Sequence, residues 1–197
     1  MIVSQFGVES WMDQYEEGAK YNITDTCAKP LSLAELFSLA GEDRTDFMDR
    51  FFEREQTYGT IFGSEKVKKE ISRLYTSIRP EEILTEHGAT GGNQHIFFSL
   101  IRPGDHVIAF SPSYQQFYSA PEALGAEVTV LRLRRENGYL PDLDELSQAA
   151  ARGVRMICLN NPNNPTGTLI PSDMMKDIVA IARQSGAYLF CDEVYSG

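Results

Sequence analysis

The chain has 197 residues, of which 28 are acidic and 18 basic, so that its formal net charge is −10. A chain this acidic lacks the positive surface that attracts nucleic acids or anionic membranes, which argues against both as partners. No apolar stretch approaches the ~20 residues that cross a bilayer, and the N-terminus has no basic segment followed by an apolar one, so we expect a soluble, cytoplasmic protein.

The cysteines give no sign of a disulfide framework or a zinc cluster, since there are only three and they lie far apart. Cys158 and Cys191 lie inside apolar runs, which favours small buried thiols. The sequence therefore predicts no metal site.

The first eighty residues differ in pattern from the rest of the chain. Ser64 begins a predicted helix whose apolar face extends to Leu74 and Ile78, and whose charged residues, Lys68 among them, are expected to face solvent. We interpret residues 1–55 as an N-terminal arm and approach segment, and residues 56–197 as part of one larger domain.

From about residue 80, apolar runs of strand length alternate with amphipathic helices. This alternation is typical of an α/β domain with a mostly parallel sheet and helices on both faces. The predicted strands cover residues 107–110, 128–133, 156–160 and 188–193. The predicted helices cover residues 92–102 and 114–124, and two more begin at Asp142 and Ser172.

Polar or glycine-rich stretches fall where the predicted strands end, and ligands of parallel α/β sheets bind beyond those carboxyl ends. The stretches are GATGGNQ (88–94), SPSYQQFY (111–118), NNPNNPTG (160–167) and FCDEVYSG (190–197). Proline fixes the backbone, so the third stretch predicts a rigid turn that holds an asparagine amide in one place.

Each stretch has both a functional and a structural interpretation. The paired glycines Gly91 and Gly92 would let backbone N–H groups approach a phosphate, although such glycines are also common in tight turns. Tyr114 could stack on a planar ligand or cover the sheet edge. Asp192, flanked by apolar residues, needs a cation or hydrogen-bond donors, unless it is only a surface cap. Together they indicate one polar, planar, phosphorylated ligand.

The motifs YGTIFG (58–63), TGGNQ, RPGD, SPSY, NNPNNPTG and CDEVY resemble, in order and spacing, those of fold-type I, class I/II aminotransferases. The resemblance runs from about residue 55 to the end of the chain. It implies the large domain of such an enzyme without its small C-terminal domain, with pyridoxal 5′-phosphate (PLP) as cofactor, an amino acid and a 2-oxo acid as substrates, and a homodimer.

The resemblance also implies where the cofactor would bind. Gly91, Gly92 and Asn93 would cradle its phosphate, mainly through backbone donors. Tyr114 would stack on the pyridine ring, and Asp192 would pair with the protonated ring nitrogen, which keeps the ring an electron sink.

Further contacts are implied at the substrate side and between subunits. Asn164 and Tyr195 would hydrogen-bond the phenolic oxygen of the ring, and Asn164 would also face the substrate carboxylate. Tyr58 would reach the phosphate bound by the neighbouring subunit. Thr26 and Lys29 would approach the substrate, unless the loop that carries them is only an exposed connection.

The family's Schiff-base lysine lies beyond the Asp-x-x-Tyr motif, whereas every lysine of this chain precedes that motif. We therefore expect the chain by itself to be inactive and to form the N-terminal part of a longer enzyme.

Two alternatives to amino transfer stay open. The N-terminal stretch YNITDTCAKPLSLAEL (21–36) resembles a subgroup that includes capreomycidine synthase-like enzymes, in which the same cofactor serves elimination and ring closure. The chain could therefore belong to a PLP-dependent lyase or cyclase. A non-catalytic fragment that binds a phosphorylated ligand is the other alternative, although the GxGxxG spacing of dinucleotide folds is absent.

Overall fold

A computed structural model describes residues 4–23 and 27–196. The chain forms two compact units, one made of residues 1–20 and 86–197 and the other of residues 21–85. The boundary expected near residue 55 falls inside the second unit, and the division into an arm and a large domain stays a prediction. None of the helices in the described part of the chain is long and apolar enough to cross a membrane.

The first unit is built on a parallel sheet. Its strands lie in the order β2-β1-β3-β4, and every described pairing is parallel. The strands are β1 (His106–Ser111), β2 (Glu127–Arg132), β3 (Met156–Asn160) and β4 (Tyr188–Asp192). Each begins and ends within one residue of its predicted position, and the predicted parallel α/β architecture is confirmed.

Within the described residues the chain also forms eight α-helices. They are α1 (Gly7–Tyr15), α2 (Leu33–Ala40), α3 (Arg44–Phe52), α4 (Glu65–Ser72), α5 (Gly88–Leu100), α6 (Gln116–Ala123), α7 (Leu143–Ala150) and α8 (Ser172–Ser185). Short 3₁₀ turns cover Pro80–Glu82 and Arg135–Asn137.

One layer of the core lies between the sheet and helices α5 and α6. Successive side chains of a strand point to opposite faces, so Val107 and Ala109 of β1 share this layer. Phe97 of α5 and Phe117 of α6 are fully buried here, and their rings lie 5.4 and 5.6 Å from the ring of Phe190. These aromatic contacts pack α5 and α6 against β4.

The opposite layer lies between the sheet and helices α7 and α8. Ile108 and Phe110, the alternate residues of β1, pack there with Leu146 of α7 and Ile178 of α8. Because both faces of the sheet are covered, β3 is buried along its whole length.

The second unit contains α2, α3 and α4. A capping box begins α2: the Ser32 hydroxyl accepts from the Glu35 N–H, and the Glu35 carboxylate accepts from the Ser32 N–H. The prediction for Lys68 was wrong, since this side chain on α4 is buried and donates to Glu65 at 3.1 Å. Helix α4 ends at Ser72, so Leu74 lies outside it and is 81% exposed.

Candidate functional site

The carboxylate of Asp192 lies buried at the carboxyl end of β4. The register of the sheet places Asp192 opposite Asn160, the last residue of β3. Asp192 Oδ2 accepts a hydrogen bond from Asn93 Nδ2 at 2.9 Å, and Oδ1 accepts one from the Val194 N–H at 3.0 Å. The side chain therefore has one fixed orientation at the edge of the sheet.

The hydrogen-bond donors around Asp192 are neutral. Besides Asn93 Nδ2 and the Val194 N–H, the carboxylate has Asn160 Nδ2 at 3.4 Å. Among the described residues, no lysine, arginine or histidine forms an ion pair with Asp192, although the residue is only 7% exposed. A buried carboxylate is normally paired with a cation. A positively charged or proton-donating group on a ligand would therefore be stabilised at this site.

The thiol of Cys191, next to Asp192, is held in its protonated form. Burial, followed by the charges of Glu193 and Asp192, raises the pKa of Cys191 to about 12. Burial also raises the pKa of Cys158, which is fully buried as predicted, whereas Cys191 is only half-buried.

Helix α5 begins at Gly88, four residues earlier than the prediction, and this corrects the placement of the paired glycines. The backbone of Gly88 has φ +74°, which favours glycine and turns the chain into the helix. Only the N–H groups of the first turn lack acceptors within a helix. Free donors are therefore expected at residues 88–90, whereas Gly91 and Gly92 lie inside the helix.

A chain of side-chain amides connects this helix start to Asp192. Asn93 Nδ2 donates to Gln116 Oε1 at 3.1 Å as well as to Asp192, and Gln116 Nε2 donates to the carbonyl oxygen of Thr90 at 2.9 Å. Asn93 and Gln116 are 6% and 2% exposed. The side chain of Asn93 is thus directed at the carboxylate, which its predicted role in a phosphate cradle did not include.

Tyr114 follows β1 and lies next to the start of α5. Its hydroxyl shares a hydrogen bond of 3.2 Å with Thr90 Oγ1. The ring meets Phe117 and Phe6 edge to face, with centroids 5.8 Å apart in both pairs. The aromatic ring predicted to stack on a planar ligand is therefore near the free N–H groups of α5.

The turn NNPNNPTG after β3 is held by its asparagine side chains. Asn160 Oδ1 accepts from the Asn164 N–H at 2.6 Å, and Asn161 Oδ1 accepts from the Ile170 N–H at 2.8 Å. Asn163 Oδ1 accepts from the Thr166 hydroxyl at 2.9 Å. The peptide bonds before Pro162 and Pro165 are cis.

Asn164 is the asparagine of this turn whose side-chain amide contacts the loop that follows β4. Asn164 Nδ2 donates to the hydroxyl of Tyr195 at 3.3 Å, and Asn164 is half-buried. The two residues predicted to contact the same oxygen of a ligand are thus hydrogen-bonded to each other.

The remaining predicted site residues are Tyr58, Lys29 and Thr26. Tyr58 belongs to the second unit and is fully exposed. Lys29, also in that unit, has a side chain that is 86% exposed and 4.0 Å from Glu35. Thr26 lies outside the described residues.

Sequence reasoning missed three residues of the cluster: Thr90, Gln116 and Asn160. Thr90 and Gln116 stand inside quoted motifs, and the helix bounds would have shown that Thr90 belongs to the first turn. No signal marks Asn160, because the sequence does not distinguish the four asparagines of one turn.

Comparison with known proteins agrees with the family that the sequence motifs resemble. Residues 48–197 match the family described as aminotransferase class I and II. A solved structure of a PLP-dependent aminotransferase from Streptococcus suis 89-1591 is 44% identical, covers 98% of the chain and superposes with a TM-score of 0.94.

Two curated relatives are similar at lower identity. An LL-diaminopimelate aminotransferase of Syntrophobacter fumaroxidans is 35% identical over 58% of the chain, and an aspartate aminotransferase of Sulfurisphaera tokodaii is 30% identical over 70% of it. The matched part amounts to 52% of the Streptococcus protein and to 30% and 35% of the curated relatives. The chain thus spans about half the length of the solved relative and about a third of the two curated ones.

Proposed function

Because the chain belongs to the aminotransferase class I and II family, which depends on PLP, we propose that it is the cofactor-binding part of an enzyme that moves an amino group between an amino acid and a 2-oxo acid. The observation that carries this proposal is the buried carboxylate of Asp192, to which only neutral groups donate within the part of the chain that the structure describes. When bound, PLP supplies a protonated pyridine ring that withdraws electrons from the α-carbon of the substrate. Its ring N–H is the cationic partner that the site calls for.

Asp192 would hold the proton on the ring nitrogen. A carboxylate with fixed hydrogen bonds in a buried site interacts strongly with a cation, because little water screens the charges. Both of its oxygens already accept hydrogen bonds from the protein, so the carboxylate does not need to reorient when the ring binds.

The first turn of α5 would bind the phosphate. The N–H groups of residues 88–90 and the hydroxyl of Thr90 supply donors, and the helix dipole favours an anion there. Since the helix begins at Gly88, we propose phosphate contacts with Gly88, Ala89 and Thr90 in place of those predicted for Gly91, Gly92 and Asn93.

Three side chains would orient the ring between the phosphate and the substrate. Tyr114 would pack against the pyridine ring, while Asn164 and Tyr195 would hydrogen-bond its phenolic oxygen. The contact of Asn164 with the substrate carboxylate, and the contacts of Thr26 and Lys29 with the substrate, stay predictions. So do the homodimer and the contact of Tyr58 with the neighbouring subunit's phosphate.

A matched pair of variants tests the proposal. Asp192→Asn keeps the size of the side chain and removes its charge, whereas Asp173→Asn makes the same change on α8, where the side chain is 92% exposed. We expect Asp192→Asn to weaken PLP binding at least about tenfold and to slow amino transfer by roughly 10²- to 10³-fold, with Asp173→Asn close to wild type.

Binding and reaction are measured separately in the longer enzyme of which the chain would form part, by equilibrium dialysis of PLP and by formation of a 2-oxo acid from an L-amino acid. Equal PLP affinities for both variants would contradict the role of Asp192. Release of an unsaturated or cyclised product in place of a 2-oxo acid would favour the lyase or cyclase alternative. PLP binding without turnover of any amino acid would favour the non-catalytic alternative.

A further inference from the structure

Asn93 lies between the start of α5 and the carboxylate of Asp192. A carboxamide NH₂ has two hydrogens, and in Asn93 one is directed at Asp192 Oδ2 and the other at Gln116 Oε1, at 2.9 and 3.1 Å. Gln116 is held in turn by its hydrogen bond to the Thr90 carbonyl at 2.9 Å. Each side chain in this chain of amides has a fixed partner on both sides.

An amide at position 93 is unexpected on packing grounds. Asn93 lies one helical turn before Phe97, on the face of α5 that packs into the core, where an apolar side chain would need no hydrogen-bond partners. The amides of Asn93 and Gln116 are buried and satisfy each other, which makes them costly to change singly. Through Asn93, this pair of amides is hydrogen-bonded to the carboxylate of Asp192.

The effect of Asn93 on Asp192 follows from the geometry of a carboxylate. The last side-chain torsion of an aspartate is broad, so a single anchored oxygen leaves the group free to turn. The Val194 N–H anchors Oδ1 and Asn93 Nδ2 anchors Oδ2, and the two bonds together define the plane of the carboxylate.

We propose that Asn93, oriented by Gln116, is a positioning residue that fixes the Asp192 carboxylate for the ring nitrogen of a phosphorylated pyridine cofactor. The inference rests on the proposed function, since it presumes that Asp192 meets this nitrogen. Through Thr90 the same amides connect the ring-nitrogen end of the site to the helix turn that would bind the phosphate. Neither Asn93 nor Gln116 needs to touch the ring itself.

The test compares two ligands that differ at one ring atom. Pyridoxamine 5′-phosphate forms no covalent bond with a lysine, so its dissociation constant reports noncovalent contacts alone, and its 1-deaza analogue lacks the ring nitrogen. Equilibrium dialysis gives both constants for wild type, Asn93→Leu, Gln116→Met and Asn137→Leu. Asn137 is exposed and lies outside the site, so it provides the matched control.

We expect Asn93→Leu to weaken binding of pyridoxamine 5′-phosphate roughly tenfold and binding of the analogue less than about twofold. Gln116→Met should act in the same direction with a smaller effect, about threefold, and Asn137→Leu should change neither constant. A merely structural role of Asn93 would weaken both ligands alike.

The results distinguish a failure of the proposed function from a failure of the proposed role of Asn93 alone. If wild type binds the two ligands equally well, or binds neither, Asp192 does not meet a ring nitrogen, and the proposed function fails together with this inference. If wild type prefers pyridoxamine 5′-phosphate and Asn93→Leu keeps that preference, only the inference is overturned. Should thermal denaturation show that Asn93→Leu does not fold, the ligand preference of Gln116→Met decides in the same way.

Discussion

Replacing Asn160 by leucine would remove the side chain that connects β3, β4 and the turn NNPNNPTG. The Asn164 N–H would lose its acceptor at 2.6 Å, and an unsatisfied buried donor costs about 1–3 kcal/mol. The bond from Asn160 Nδ2 to the Asp192 carbonyl, 3.0 Å long, contributes about 0.5–1.5 kcal/mol, but this carbonyl keeps the Asn161 N–H at 2.9 Å.

The remaining terms are smaller. The 3.4 Å contact with Asp192 Oδ1 is long for a hydrogen bond and adds little. Burial of the leucine side chain offsets about 1 kcal/mol of the loss. We therefore expect Asn160→Leu to lower the free energy of unfolding by about 2 kcal/mol, which is roughly a 30-fold change in the unfolding equilibrium.

The assay is equilibrium urea unfolding of the purified protein, followed by circular dichroism. Asn160→Leu should lower the midpoint without changing the slope, because the surface exposed on unfolding stays the same. The control Asn137→Leu, at an exposed position of a 3₁₀ turn, should stay within about 0.5 kcal/mol of wild type. If Asn160→Leu also stayed within that range, the turn would not depend on the asparagine, and the explanation given for its rigidity would be refuted.

Two further predictions concern the core and the thiols. Phe97→Ala should cost about 3–5 kcal/mol of unfolding free energy because Phe97 is fully buried, against less than about 1 kcal/mol for Phe98→Ala, which is 46% exposed; thermal denaturation compares them, and similar losses would contradict the assignment of the core. At pH 8 only the exposed Cys27 should react quickly with an aromatic disulfide reagent, since burial keeps Cys158 and Cys191 protonated, and three fast thiols in the native protein would disprove this.

The sheet was predictable because its strands are apolar runs bounded by turn residues. The apolar run MICLN, followed by the prolines of NNPNNPTG, predicts a strand over residues 156–160, and these are its bounds in the structure. Strands that alternate with helices in this way leave few arrangements other than a parallel sheet. The sequence pattern therefore placed Asp192 correctly at the end of a strand.

The start of α5 was harder to predict, because any of three glycines within five residues could begin the helix. The pair at Gly91 and Gly92 looks like the turn, but the positive φ that requires glycine is at Gly88, and backbone angles cannot be read from the sequence. The burial of Lys68 was missed for a related reason, since helical spacing does not show which other segments cover a face.

The amide chain of the site could not be predicted either, because its members are distant in sequence. Asn93 and Asp192 are 99 residues apart, and Asn93 and Gln116 are 23 apart. Without the fold, no spacing rule connects them. Only residues within one turn or one strand end, such as those of NNPNNPTG, can be grouped by inspection.

The distance of 99 residues between Asn93 and Asp192 also affects the order of events during synthesis. A ribosome that adds about 5–20 residues per second produces Asp192 roughly 5–20 s after Asn93. During that interval the amide of Asn93 lacks the Asp192 carboxylate as an acceptor, since contacts between distant residues form late in folding. The proposed ring-nitrogen end of the site would thus be completed only when β4 joins the sheet, so a nascent chain that ends before Asp192 should have no preference for a pyridine over its deaza analogue.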